Sequence, residues 1–330
     1  MMGHYVASLG AIDHYRRLLQ AGPLTEAQGT PPATGVLVID KPLGRTSFDV
    51  VARVRRVCGQ KRVGHAGTLD PLATGVLPIC LGSATRVVEY LADAGKEYRA
   101  RLHLGAVSAT YDGEGPVTPQ VTDPALLPAT GTILAALAAF RGPQQQVPPM
   151  HSAVQQGGKR LYELARSGVE VERRPRAVTI YRLELVAYTP PELVLDVACS
   201  KGTYIRSLAH DLGTALGCGA YLEGLVRTRH GPFGMADAVT LDQLEHAVAA
   251  GRLHEVLRPP DVLVADWPRV ALAADAARRL AQGQALDYPP PAGNAPRRLR
   301  VYGPDGAFLA LVLWDEDKAR WHPAKVFSGV

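Results

Sequence analysis

The sequence is poor in cysteine and in long apolar runs, and the common catalytic signatures are missing from it. Its four cysteines, Cys58, Cys80, Cys199 and Cys218, are widely spaced, with no CxxC pair and no Cys/His cluster at metal-ligand spacing. No metal site is therefore indicated, and buried free thiols are expected. No stretch approaches the roughly 18 apolar residues that a membrane span requires. Met1 to Gln20 mixes His4, Asp13, His14, Arg16 and Arg17 among its apolar residues, unlike the basic-then-apolar layout of a secretory leader. A cytoplasmic protein is expected. There is no GxxxxGK, GxSxG or HExxH, and no GxGxxG after a strand, so nucleotide hydrolysis, serine hydrolysis, zinc proteolysis and hydride transfer lose support. Internal repeats are absent too.

What is present suits a folded, mildly basic protein. The 330 residues exceed one ordinary domain, which favours a large domain followed by a small one. Hydrophobic residues make up 47% and charged residues 20%, with a net charge of +5, a balance compatible with a polyanionic partner. The basic residues cluster: Arg53, Arg55, Arg56, Lys61 and Arg62 form one group, and Arg173, Arg174, Arg176 and Arg182 another.

Residues 1–33 read as an accessory extension, partly disordered, broken by Gly22-Pro23 and Pro31-Pro32. Val36 to Ile39 reads as a buried strand stopped by Lys41-Pro42. Thr46 or Ser47 can cap a helix bearing Val50, Val51, Val54 and Val57, ending at Gly59. A loop rich in Gly, Thr and Pro spans 64–75 and leads into an apolar strand. Glu97 to Leu104 alternates cleanly, with Tyr98, Ala100, Leu102 and Leu104 on one face, as does Leu193 to Cys199. A helix follows, with Ile205, Leu208, Leu212 and Leu216 on its apolar side and Gly217 after it. Residues 141–176 break the pattern with Gln144-Gln145-Gln146 and Gly157-Gly158-Lys159-Arg160, and read as a mobile, basic insertion. A helix near 241–250 precedes Pro259-Pro260. Beyond about residue 266 the texture changes to one helix at 273–281, short strands and a turn at Gly303 to Gly306, indicating a small β-rich closing domain.

Two residues stand out chemically. Asp70 sits in an ordered Gly-rich loop, although an Asp-Pro pair alone reads as a turn. Arg206 lies in the first turn of its helix, where the helix dipole disfavours a cation by roughly 0.3–1 kcal/mol. A phosphate or a buried carboxylate would compensate. A carboxylate paired with that arginine would stay ionised despite desolvation and could act as nucleophile or base.

Gly35 to Pro42 and Lys61 to Pro78, the latter containing Gly64-His65-Ala66-Gly67-Thr68-Leu69-Asp70-Pro71, closely resemble the bacterial tRNA pseudouridine synthase B family. The resemblance continues through Lys96-Glu97-Tyr98-Arg99, Val147 to Ala153, Gly158 to Glu163 and Cys199 to Arg206. It covers 34–266 well, and less sharply a tail at 267–330 that is similar to the family's PUA-type barrel. It implies a mixed α/β fold with a largely antiparallel sheet and an RNA-binding cleft, plus the small RNA-binding barrel. It also implies a cofactor-free isomerase, without metal, that converts uridine 55 of the tRNA T loop to pseudouridine.

By the same resemblance Asp70 is the essential carboxylate, Tyr98 the active-site tyrosine and Arg206 the partner of the aspartate. His65, Tyr204 and Leu225 are substrate contacts, and Lys41 and Asp112 take further substrate-binding places. The insertion at 141–176 would close over the T stem-loop of a tRNA bound to a monomer that needs no protein partner. Family members commonly carry an acidic residue where this chain has Ala109. Other readings are a guide-RNA-dependent synthase, a non-catalytic tRNA-folding chaperone and a metal-dependent nuclease. The last would require clustered carboxylates that the Asp70 loop lacks.

Overall fold

The computed structural model describes residues 33–327, apart from 93, 153–154, 157, 167–168 and 170. The expectation for the N-terminal extension thus falls outside the described residues, Ala33 excepted, as does part of the 141–176 segment.

The first strand, β1 (Gly35–Lys41), is buried along nearly its whole length. Leu37 and Ile39 enter the main core, while Val36 and Val38 enter a second core on the opposite face. That two-sided burial explains its continuous apolar run. The helix Ser47–Val57 begins with a reciprocal capping box between Thr46 and Asp49 and buries Val50, Val51 and Val54. It leads to the short β2 (Val63–His65) and the long β3 (Ala73–Leu81), which pairs antiparallel with both β1 and β2.

Strand β4 (Lys96–Leu104) buries Tyr98, Ala100, Leu102 and Leu104 and exposes Arg99 and Arg101, as its alternation requires. A small ribbon, β5 (Ala106–Ser108) with β6 (Val117–Pro119), follows. Next comes β7 (Gly142–Gln146), which pairs with residues 176–180 further along the chain. Residues 142–146 are therefore the edge of the main sheet and not part of an insertion. The intervening segment holds the hairpin β8 (Gln155–Gln156) and β9 (Lys159–Arg160) and the helix Leu161–Arg166. Strands β10 (Arg176–Thr189) and β11 (Glu192–Cys199) form a long hairpin. The helix Ile205–Ala215 then leads into β12 (Ala220–His230) and its partner β13 (Phe233–Gly234).

The nine-stranded sheet runs β1-β3-β12-β4-β11-β10-β7, with β2 on β3 and β13 on β12. The β3–β12 pair is parallel and the other pairings in this sheet are antiparallel. The fold is thus mixed α/β with a largely antiparallel sheet. The β3–β12 adjacency matters for function, because it brings the end of the Asp70 loop beside Leu225 and Arg227.

A second sheet, β14 (Arg269–Ala271), β15 (Arg298–Tyr302), β16 (Phe308–Asp315) and β17 (Arg320–Val326), packs with the helix Ala274–Ala281 around Leu280, Val301, Val312 and Trp321. Leu311 and Phe327 reach from it into the core formed by Val36, Val38 and Val76. The closing unit is thereby fixed to the back of β1 and β3.

The arginine groups are only partly free for a ligand. Arg53 pairs with Glu245, the Arg55 guanidinium donates to the Val63 carbonyl, Arg62 donates to Thr85, and Arg182 pairs with Glu97. Among the described residues no helix is long and apolar enough to cross a membrane.

Candidate active site

Asp70 lies in the loop between β2 and β3, and contacts on both sides of it hold the backbone. The buried Ser47 hydroxyl, at the start of the helix Ser47–Val57, donates to the Leu69 carbonyl at 3.1 Å and accepts from the Leu69 amide at 2.8 Å. After Asp70, the Pro71 carbonyl accepts from the Gly44 amide at 2.9 Å and from Lys41 Nζ at 3.4 Å. The loop rejoins the sheet at Gly75, whose φ is +93° and where an added Cβ would lie 2.3 Å from the Arg227 carbonyl oxygen. Only glycine fits such a position.

Arg206 is the second residue of its helix, and the start of that helix is clamped. Gln146 accepts from the Tyr204 amide at 2.8 Å and donates to the Tyr204 carbonyl at 3.1 Å. The Arg206 side chain is nearly inaccessible, yet it is fully engaged. Nε meets Asp70 Oδ2 at 3.0 Å, Nη1 meets Asp112 Oδ2 at 3.2 Å, and Nη2 donates to the His151 carbonyl at 2.8 Å. The anion required by a cation at the positive helix end is therefore supplied twice.

Asp112 is itself buried and accepts from the Thr110 hydroxyl at 2.5 Å and the Glu114 amide at 3.1 Å. The preceding residue, Tyr111, has a left-handed φ of +65° and stacks on His210, with ring centroids 3.9 Å apart. His210 is one turn beyond Arg206 on the same helix, so the stack pins the Asp112 loop to the helix that carries Arg206.

The ion pair does not keep the Asp70 carboxyl in the usual range. Desolvation raises its pKa from the ordinary 3.8 and Asp112 adds to the rise, while Arg206 and Lys41 oppose it. The balance is upward. Desolvation is the largest cause, and the like charge of Asp112 works in the same direction. The Asp70 side chain nonetheless remains 39% exposed, leaving part of the carboxylate accessible.

Tyr98 on β4 and Leu225 on β12 are buried residues of adjacent strands. In register, Tyr98 stands opposite Arg227, and Leu225 stands opposite both Ala100 and Ala73. Burial pushes the Tyr98 phenol up to about 12, so it is a neutral hydroxyl at ordinary pH. His65 closes β2, where burial, reinforced by the Arg227 charge, lowers its pKa and favours the neutral imidazole.

The family model described as TruB family pseudouridylate synthase (N terminal domain) matches residues 55–205. The one described as tRNA pseudouridylate synthase B C-terminal domain matches 206–265. The chain belongs to the TruB family. It is 47% identical over 293 residues to the tRNA pseudouridine synthase B of Dehalococcoides mccartyi, covering 89% of this chain and 96% of that one. With the protein of the same name from Symbiobacterium thermophilum the identity is 52% over 254 residues, 76% of this chain and 82% of the other. Among solved structures, a Cbf5-Nop10-Gar1 complex is similar with a TM-score of 0.66 and 30% identity, over 84% of this chain and 78% of that chain. An H/ACA RNP bound to a substrate RNA containing 2'-deoxyuridine is similar with a TM-score of 0.67 and 27% identity, over 89% and 84%.

Within this TruB-family site, two residues expected to touch substrate stand behind it. Lys41 has no exposed surface, and its amine donates to the carbonyls of Pro42, Arg45 and Pro71. Asp112 is 2% exposed and its carboxylate is bound to Arg206. Both are buried and engaged in contacts within the protein. The sequence offers Ser47 only as a helix cap and Gln146 only as a break in the pattern, and it does not point to Arg227 as a site residue. The signal for Arg227 was a charge at a core-facing place in β12, two residues after Leu225.

Proposed function

We propose that the protein is a tRNA pseudouridine synthase that isomerises the uridine at position 55 of the T loop, without a guide RNA. The observation that carries this reading is the Asp70 carboxylate, held by Arg206 at 3.0 Å and still partly open to solvent. The isomerisation breaks the C1′–N1 bond, turns the detached uracil, joins C5 to C1′, releases the C5 proton and leaves a proton on N1. No external oxidant or group donor enters that balance.

Asp70 serves by attacking C1′, attacking C6, or removing a ribose proton, and each of these needs the same ionised group beside sugar and base. Tyr98 and Leu225 provide an aromatic and an aliphatic surface for the base. Tyr204 lies at the start of the Arg206 helix, within reach of the same cleft. Extruding a stacked uridine costs a few kcal/mol, which contacts in the site must offset. A neutral His65 suits the vacated space. The folded RNA is recognised by shape, phosphate contacts and stacking, with residues 34–266 acting as the catalytic domain and 267–330 as a PUA-type RNA-binding domain. We take the working form to be a cytoplasmic monomer.

A T-arm stem-loop tritiated at uridine C5 tests this. Wild type is expected to release the label to water, and Asp70→Asn to release none. Release only after a guide RNA is added would favour the guided mode suggested by the likeness to the H/ACA structures. Tight binding with no release would favour a folding chaperone.

A further inference from the structure

Arg227 has no exposed surface, and no carboxylate among the described residues forms an ion pair with it. A guanidinium withdrawn from water without an anion is unfavourable, so the position calls for a reason. Its hydrogen bonds supply one part. Nε donates to the Val76 carbonyl at 2.7 Å and Nη2 to the Gly67 carbonyl at 3.2 Å. Gly67 precedes Asp70 by three residues and Val76 follows it by six, so one side chain ties together the two ends of the loop.

The remaining nitrogen supplies the other part. Nη1 is buried without a hydrogen-bond partner of standard geometry, and it lies 3.6 Å from where a Cβ on Gly67 would be. The titratable group that most offsets the burial of this cation is the Tyr98 phenol, which stands directly across the β4–β12 register. Arg227 thus ties the backbone that carries Asp70 and lies across the strand register from Tyr98. A neutral amide could hold two carbonyls; a fixed cation adds orientation of the phenol oxygen.

Resting on the reaction proposed above, we propose that Arg227 is a positioning residue: it holds the Tyr98 hydroxyl from behind and pins both ends of the Asp70 loop, so that phenol and carboxylate address one uridine in a fixed relation. It touches neither sugar nor base.

The test is a double-mutant cycle with Arg227→Lys and Tyr98→Phe, using the T-arm stem-loop for binding and for single-turnover isomerisation. Arg227→Lys keeps the charge and loses the fork. It is expected to leave binding within about twofold and to slow isomerisation about tenfold to a hundredfold, the worth of a hydrogen bond to a charged group. In the Tyr98→Phe background the penalty of the same change is expected to be at least about threefold smaller, the remainder being the loop tether through Val76 and Gly67. Equal penalties in both backgrounds would overturn the proposal and leave Arg227 a purely structural tether.

A second readout does not depend on activity. In protein labelled with 13C at tyrosine Cζ, the Tyr98 signal, identified by its loss in Tyr98→Phe, is expected to move in Arg227→Lys while the other tyrosine signals stay. An unmoved signal overturns the contact. Should Arg227→Lys fail to fold, the arginine Cζ signal of Arg227 in folded Tyr98→Phe takes its place, with a shift expected and no shift overturning. If wild type released no tritium, the functional reading would fall, while the spectroscopic arms would still decide the Arg227–Tyr98 contact.

Discussion

Asp70 and Asp112 are bound by the same guanidinium, Arg206 meeting the first at 3.0 Å through Nε and the second at 3.2 Å through Nη1. The sharing has two effects of opposite sign on Asp70. Asp112 anchors Arg206 and so fixes Asp70 in space, and its own charge raises the proton affinity of Asp70. Replacing Asp112 by Asn separates these effects.

On the proposed role of Asp70 as an ionised carboxylate, activity is expected to fall as pH drops through its pKa, and the raised value places that acid limb above pH 3.8. Asp112→Asn removes the like charge and is expected to move the limb to lower pH. At neutral pH the same variant should be slower, because Arg206 is less firmly held; a loss of roughly a hundredfold corresponds to a misplacement near 1 Å. Single-turnover rates between pH 4 and 8 check both points. A limb that moves upward would contradict the shared-guanidinium account.

At Gly75, strain and space act together. Its φ is +93° and a Cβ would approach the Arg227 carbonyl oxygen to 2.3 Å, whereas at Gly59 φ is +62° and nothing lies within 4 Å. Gly59→Ala is expected to cost about 1 kcal/mol. Gly75→Ala should cost about 3 kcal/mol or more, because backbone must move as well. Urea denaturation midpoints measure the difference, and equal costs would show that the loop exit yields.

Much of this arrangement was legible in the sequence, because its signals are local. Alternation over Glu97 to Leu104 located Tyr98 on a buried face, and the capping pattern at Thr46 located the helix that braces the Asp70 loop. Arg206 in a first turn demanded an anion, which the structure supplies. What escaped depends on strands that meet from afar. The strand Gly142–Gln146 has no apolar alternation, and its partner starts at Arg176, thirty residues on. Arg227 became a tether for the Asp70 loop only once β3, β12 and β4 lay side by side. For Lys41, given a substrate-binding place by the family resemblance, sequence does not reveal that three carbonyls accept from its amine.

Burial lowers the Lys41 pKa from 10.5 to about 8. The unfolded chain therefore binds this proton more tightly than the folded one, and the penalty is fully present below pH 8. It is relieved as pH rises from 8 to 10.5, a span worth on the order of 2–3 kcal/mol. The stability of wild type relative to Lys41→Met is accordingly expected to rise across that window, since the variant has no such titration and the other groups cancel. Paired urea titrations from pH 7.5 to 10.5 measure this. A flat difference would mean that the carbonyl cage accommodates the ammonium without penalty.

Ser47 joins helix and loop more directly. Its hydroxyl satisfies both the amide and the carbonyl of Leu69, the residue before Asp70. Ser47→Ala leaves both buried groups without that partner, a loss of about 1–3 kcal/mol. The helix should survive, because its cap is Thr46. Freed from Ser47, Leu69 would let Asp70 shift against Arg206, and a shift of about 1 Å costs up to a hundredfold in rate. Since Ser47 is 2% exposed and its hydroxyl is spent on Leu69, KM is expected to stay near wild type while kcat falls. Kinetics on the T-arm stem-loop separate the two: a rise in KM with unchanged kcat would mean that the brace shapes the binding surface and leaves the carboxylate where it was.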